Sequence, residues 1–174
     1  MKRDVEIVNE KSNGRIVVIR NILFRGRRNI EWCEVERYLK YFVGESYDIL
    51  EFGDKIFINS DFPDEFARSN YTKKLKGTLA KAKANVAQGV PELIEIATEK
   101  RFKDNLKEKH SFNAKYGWYR YNTRFALPVY KEYQRMEQFN IFQAVLLVRH
   151  AHDGKRYLYD IVNIKKETSK PLEP

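Results

Sequence analysis

The sequence predicts an α+β protein: an N-terminal β-α-β-β unit, two central helices, and then a four-stranded antiparallel sheet. Three observations lead to that class. Short β-branched runs bracket a single amphipathic helical stretch in the first third of the chain. Residues 72–106 carry helical spacing, and everything from Tyr116 onward is dense in aromatic and β-branched residues.

Gly14 to Asn21 reads as a buried strand, with a glycine opening a run of valine and isoleucine. Asn29 is a plausible N-cap, and Glu31 and Glu34 put negative charge in the first turn of a helix running to Gly44, with Val35, Tyr38, Leu39 and Phe42 on one face. Ser46–Leu50 and Lys55–Asn59 then flank Glu51-Phe-Gly-Asp54, a hairpin whose turn uses Gly53.

Asp61-Phe-Pro-Asp64 ends the hairpin and starts a helical stretch. From Thr72 to Gln88 the apolar residues Leu75, Leu79, Ala82 and Val86 form one stripe of an amphipathic helix. Lys73, Lys74, Lys76, Lys81 and Lys83 have no acidic residue at i+3 or i+4 within the segment. They form an anion-binding face, a solvated face, or one compensated by the acidic helix at 31–45. Gly89 closes this helix and Pro91 with Glu92 opens the next, which carries Leu93, Ile94 and Ala97. Phe102 and Leu106 fall about 150° away from that cluster, so residues 98–101 mark a bend or a change of packing partner.

The four strands of the sheet are expected at Gly117–Tyr121, Thr123–Val129, Asn140–Ala151 and Tyr157–Ile164. Pro128 argues for an edge or a bulge. Asp153-Gly154 signals a two-residue turn, which sets His150 opposite Tyr157 and Arg149 opposite Leu158. One face would then gather His150, His152, Lys155 and Tyr157. The other would hold Arg149, Arg156 and Asp160, with an Arg149–Asp160 pair as an ordinary structural outcome.

At 174 residues and 20.8 kDa the chain fits one continuous domain, or two lobes at 1–71 and 72–174. With 43% hydrophobic residues it is too apolar for a disordered chain. The uncharged run Phe139–Val148 has ten residues, against about 18 for a membrane span. Asp4, Glu6 and Glu10 stand where a signal peptide needs an apolar run. Cys33 is the single cysteine, so an intrachain disulfide and a cysteine zinc finger are excluded, and acidic neighbours oppose a reactive thiolate. A cytoplasmic protein without membrane contact is the expectation.

The net charge of +9 is unevenly spread. Residues 31–71 carry −6, while 1–30, 72–110 and 111–174 each carry +5. Such an excess favours RNA or another polyanion as partner. Phosphate loops, HExxH and the serine elbow are absent from the sequence, and His150-Ala-His152 lacks an evident third metal ligand, so neither metal nor cofactor is expected. Metal-independent RNA cleavage needs a base for the 2′-hydroxyl, an acid for the leaving oxygen, and cations around the phosphorus. His110, Arg120, Arg124 and His150 supply candidates, with Lys166 and Thr168, beside Lys165 and Ser169, after the last strand.

Lys109-His110, Gly117-Trp-Tyr-Arg-Tyr-Asn-Thr-Arg-Phe-Ala-Leu-Pro-Val129, Leu147-Val-Arg-His150 and Tyr157-Leu-Tyr-Asp160 through Thr168 carry a resemblance. Over residues 92–174 the chain resembles the barnase–EndoU–colicin–RelE-like (BECR-fold) nuclease modules of phages and other mobile genetic elements, found inside polyvalent proteins. Asp61-Phe-Pro-Asp-Glu65 and Lys81-Ala-Lys-Ala-Asn85 look like a segment that accompanies them. The resemblance implies a helical lead-in on a four-stranded sheet and metal-free RNA cleavage on an open sheet face. It implies His110 as acid or base, and Arg120, Arg124 and His150 as phosphate contacts. A ribonuclease-like protein of mobile-element origin is the leading expectation, and its natural partner besides RNA is an inhibitor. The alternative is a non-catalytic module that binds nucleic acid or a host defence protein.

Overall fold

A computed structural model describes residues 3–26, 29–130 and 137–174. Its strands are β1 (Val5–Glu10), β2 (Gly14–Ile19), β3 (Ser46–Ile49), β4 (Asp54–Phe57), β5 (Thr98–Lys103), β6 (Trp118–Val129), β7 (Gln138–His150) and β8 (Arg156–Lys170). Its α-helices are α1 (Trp32–Leu39), α2 (Phe62–Arg68), α3 (Asn70–Lys73), α4 (Gly77–Val86) and α5 (Val90–Glu95), with short 3-10 turns at Lys40–Phe42, Ala87–Gly89 and Glu108–His110.

The fold is mixed α+β, but the four-stranded sheet is corrected to one of eight strands in the order β1-β2-β6-β7-β8-β4-β3, with β5 also on β6. The β6-β7-β8 meander is antiparallel and its strands run to 12, 13 and 15 residues. Residues 118–129 are one strand rather than two, because Asn122 and Thr123 keep their partners Val145 and Ala144 across the ladder. The long strands outrun their neighbours, which leaves edges to be covered. β2 joins β6 in parallel at Phe125 and Ala126, and β4 joins β8 in parallel at Arg156 and Tyr157. The N-terminal hairpins thereby extend the C-terminal sheet.

Two further strands escape the sequence pattern. β1 sets Val5, Ile7 and Asn9 on one face and Glu6, Val8 and Glu10 on the other, a half-buried edge strand that pairs with β2 across a turn at Lys11–Asn13. β5 stands where a bend was expected. Glu99 adopts a left-handed backbone (φ 53), the strand bulges there, and Arg101–Lys103 pair with Arg120–Trp118.

The helix expected from Thr72 to Gln88 is broken. α3 stops at Lys73, and α4 starts afresh at Gly77, whose φ of +57 an L residue resists. Ser69 caps α3 by accepting a bond from the Thr72 amide at 3.2 Å. α1 begins after Glu31, which makes no side-chain cap, rather than at Asn29. Lys83 does not belong to an exposed lysine face: its side chain is fully buried.

The main core lies between the helices and the face formed by odd residues of β6 and even residues of β7. Tyr121 and Phe125 meet Phe142, Leu146 and Val148 there, with Phe62, Phe66, Val90 and Leu93 above them. Each such side chain contributes about 1.5–3 kcal/mol when fully buried. On the other face a smaller cluster of Ile16, Val18, Ala126, Phe139 and Ile141 packs near Leu172, and the Lys11 amide donates to the Glu173 carbonyl at 2.9 Å. The tail thus closes one end of that face and leaves the other end open.

The Asp153-Gly154 hairpin has a three-residue loop, His152–Gly154, instead of two. Ala151 N donates to Lys155 O at 2.9 Å and Gly154, at φ +80, takes the left-handed position. One extra residue slips the register, so His150 faces Arg156 and Arg149 faces Tyr157. The expected faces dissolve. His152 stacks on Phe112 with ring centroids 3.5 Å apart, and Asp160 pairs with Lys83 rather than with Arg149.

Candidate functional site

Strand alternation places Trp118 and Arg120 on the uncovered face of β6, opposite Arg149 and Leu147 of β7. β8 adds Tyr159 and Val162. Two walls rise from this floor. One is the segment Lys103–His110, which leads out of the end of β5, and the other is the α2–α3 corner at Glu65–Tyr71. Between them lies a cleft of about 550 Å³.

His110 ends the 3-10 turn and projects over the floor. Its ring meets Trp118 and Tyr159 edge-on at 5.1 and 5.8 Å, and Nδ1 lies 3.1 Å from the Asn113 side-chain oxygen. Burial lowers its pKa, Lys109, Lys107 and Arg149 push it the same way, and the Asn113 contact opposes them. Across the cleft, burial raises the pKa of Glu65, and Asp160 adds to the rise. The Glu65 carboxylate lies against the Tyr159 hydroxyl, and burial beside that carboxylate pushes Tyr159 up to about 12. Tyr159 therefore touches both titratable groups and stays protonated at neutral pH.

Lys103, Lys107 and Lys109 are exposed along one rim, and Arg120 is half-buried on the floor. Trp118 Nε1 donates to Asn105 Oδ1 at 3.4 Å, which ties floor to wall. Gly117 (φ +97) closes the same corner: a Cβ there would meet Phe102 Cε2 at 2.6 Å and Lys103 O at 2.8 Å. Arg149 braces the far end, donating to Asn113 O at 3.0 Å and pairing with Asp61 at 3.3 Å.

Of the sequence candidates, the cleft brings together His110 and Arg120. Arg124 is on the same face but is held by Glu167 through Nε and Nη2 at 3.1 Å each, by the Asn13 carbonyl at 3.1 Å and by the buried Glu10 carboxylate at 3.4 Å. His150 faces the other side of the sheet, against Tyr116 and Tyr119, with Nε2 3.1 Å from the Gly154 carbonyl. Lys166 and Thr168 are exposed on β8 beside Phe142 and Ile141, seven and nine residues past Tyr159 and hence about 20–30 Å away along the strand. Lys73, Lys74 and Lys76 are exposed on or just after α3, Lys81 is half-buried, and Lys83 lies inside the molecule.

Glu65, Tyr159, Trp118 and Asn105 escaped the sequence reading. Glu65 was visible only as part of Asp61-Phe-Pro-Asp-Glu65 with no chemistry attached, since nothing local says that α2 docks across β8 from His110. Among the described residues no group of three or more His, Cys, Asp or Glu is arranged to hold a metal, and no helix is long and apolar enough to cross a membrane. Compared with protein families, with curated proteins and with solved structures, the chain matches none.

Proposed function

We propose that this protein binds single-stranded RNA in the cleft and cleaves it without a metal, by acid–base transesterification. The observation that carries the reading is the convergence of His110, Glu65 and Arg120 on one aromatic-floored cleft rimmed by lysines. A raised carboxyl and a lowered imidazole in one site are the environments that acid and base catalysis require.

Glu65 takes the proton from a ribose 2′-hydroxyl, whose oxygen attacks the adjacent phosphorus. The 5′-oxygen leaves with a proton from His110, giving a 2′,3′-cyclic phosphate and a 5′-hydroxyl end. Arg120 and the rim lysines offset the charge that grows on the phosphoryl oxygens. Trp118 offers a stacking surface for a neighbouring base. Tyr159 positions both Glu65 and His110.

The test is incubation of the purified chain with RNA in excess EDTA, beside His110→Ala, Glu65→Gln and Arg120→Ala. The reading expects cleavage that survives EDTA and falls by about 10²–10⁴ in the first two variants. RNA that is bound but left intact by the parent overturns the cleavage step and leaves a binding module that uses the same cleft. RNA neither bound nor cut overturns the whole reading.

A further inference from the structure

The open face of the sheet continues past the cleft. One pleat beyond Arg120 and Leu147 stand Asn122 and Val145, and one pleat further stand Arg124 and Gln143. Val145 faces Val162 and Gln143 faces Lys165 on β8. Arg120, Leu147 and Val162 line the cleft, whereas Asn122, Val145, Gln143 and Lys165 line a second cavity of about 1030 Å³. Arg120 and Arg124 are four residues apart, about 13 Å along the strand, so the two hollows are consecutive stretches of one groove.

The second cavity arises where β6 changes partner. β5 pairs with β6 along Trp118–Asn122, and β2 takes over at Phe125. Between them, among the described residues, no strand pairs with that edge of β6 at Thr123–Arg124. The β1–β2 hairpin brings Asn9, Asn13 and Arg15 to one flank, and β5 brings Thr98 and Glu99 to the other. Among the described residues, the two non-glycine positions with a left-handed backbone, Glu99 and Asn163 (φ 53 each), both lie in this lining. Such a conformation costs about 1–2 kcal/mol and persists where the surroundings enforce it.

The lining differs chemically from the cleft. Asn9, Asn13 and Asn163 present exposed side-chain amides, and Gln143 adds one that also contacts Glu167. Its ions largely cancel: Glu10 and Glu167 hold Arg124, and Asn122 and Arg101 hold Glu99, which leaves Arg15 and Lys165 beside Glu51. A near-neutral wall of amides suits a nucleobase edge, because each amide offers a donor and an acceptor in one plane. A phosphate would call for a larger excess of cations than Arg15 and Lys165 beside Glu51 supply.

We infer that this cavity is a base-reading subsite, which takes an unstacked nucleobase of the same RNA strand whose backbone crosses the cleft. The inference rests on the RNA reading of the cleft. Asn9, Asn13 and Asn163 read the base edge, and the fork between β2 and β5 provides the depth that a splayed base needs.

The test uses the full chain and 2′-O-methyl RNA, which lacks the attacking hydroxyl. Strands of about four and about twelve nucleotides, the range a single-strand site spans, are titrated as homopolymers of each base by fluorescence anisotropy. The parent is expected to bind the long strand more tightly and to prefer one base by at least about fivefold. Asn9→Ala with Asn163→Gly, in which glycine tolerates the left-handed backbone, removes the preference and the length gain while leaving short-strand affinity unchanged. Gln143→Ala, on the exposed strand face, weakens the same preference and serves where the double variant fails to fold. Variants that keep both the preference and the length gain overturn the subsite. Cleavage that is lost in His110→Ala, with base preference untouched by the amide variants, sinks the subsite alone. Amide-dependent binding by a parent that never cuts RNA sinks the cleavage reading alone.

Discussion

Lys83 of α4 and Asp160 of β8 form an ion pair sealed from solvent. The ammonium also donates to the Ile161 carbonyl at 2.5 Å and lies 4.1 Å from the centre of the Phe66 ring. Burial lowers the lysine and raises the aspartate, and each partner opposes the other's shift. The pair ties the helical layer to the strand that carries Tyr159, and it sits beneath Glu65.

Lys83→Ala is expected to destabilise the protein by about 3–5 kcal/mol, because it strands a buried carboxylate. Urea denaturation measures this. Lys83→Met combined with Asp160→Asn should lose less than the two single changes added together, with a coupling of at least about 1 kcal/mol. Strict additivity would mean that the two groups do not act as a pair.

The pH–rate profile of RNA cleavage should be a bell on the acidic side of neutrality. Its acidic limb reports Glu65, raised from 4.5, and its alkaline limb reports His110, lowered from 6.5. Lys107→Gln with Lys109→Gln removes two cations that depress His110, so the alkaline limb moves to higher pH. A limb that stays in place would assign it to another group. The same imidazole acts on stability with a definite sign: because its folded value is depressed, stability is full above the unfolded value of about 6.5 and is lost as the pH falls below it through the lower folded value.

Arg124→Ala should act on stability, with a loss of about 1–3 kcal/mol, because Glu167 loses its arginine and the buried Glu10 is left with Lys170 and the Glu173 amide. Thermal unfolding reads it out. Arg124→Lys should recover little, since an ammonium cannot reproduce the two-point contact with Glu167. A variant as stable as the parent that loses RNA affinity would return Arg124 to the role of a phosphate contact.

Gly117→Ala should cost about 1–3 kcal/mol, from the left-handed backbone and from the collision with Phe102 and the Lys103 carbonyl. Because that corner supports the Lys103–His110 wall, RNA affinity should fall with stability. Unfolding and anisotropy on the same sample check both. A stable variant with intact affinity would show that the wall does not depend on this corner.

The cleft was half legible in the sequence. His110 and Arg120 could be named because their residue types and their setting among lysines and aromatics are local properties. Glu65 could not be, since its importance comes from the docking of α2 beside β8, 45 residues before His110 in the chain. Arg124 shows the converse failure. An arginine between aromatics looks free until Glu10 and Glu167 arrive from β1 and β8.

Local chemistry by itself determined the α+β class, the buried β2 run, the β3–β4 hairpin and the aromatic strands after Tyr116. Those follow from periodicity and turn residues within a few positions of one another. Tertiary structure decided how many strands share the sheet, since the bare edges of β6 and β8 were completed by segments about a hundred residues away. It also decided the register next to the turn, where one extra loop residue moved the partners of Val148, Arg149 and His150 before a bulge at Leu147 restored the register. The same long-range packing hid Lys83 and placed His150 on the far face from His110. Burial and pairing depend on which distant surface arrives, and no local pattern encodes that.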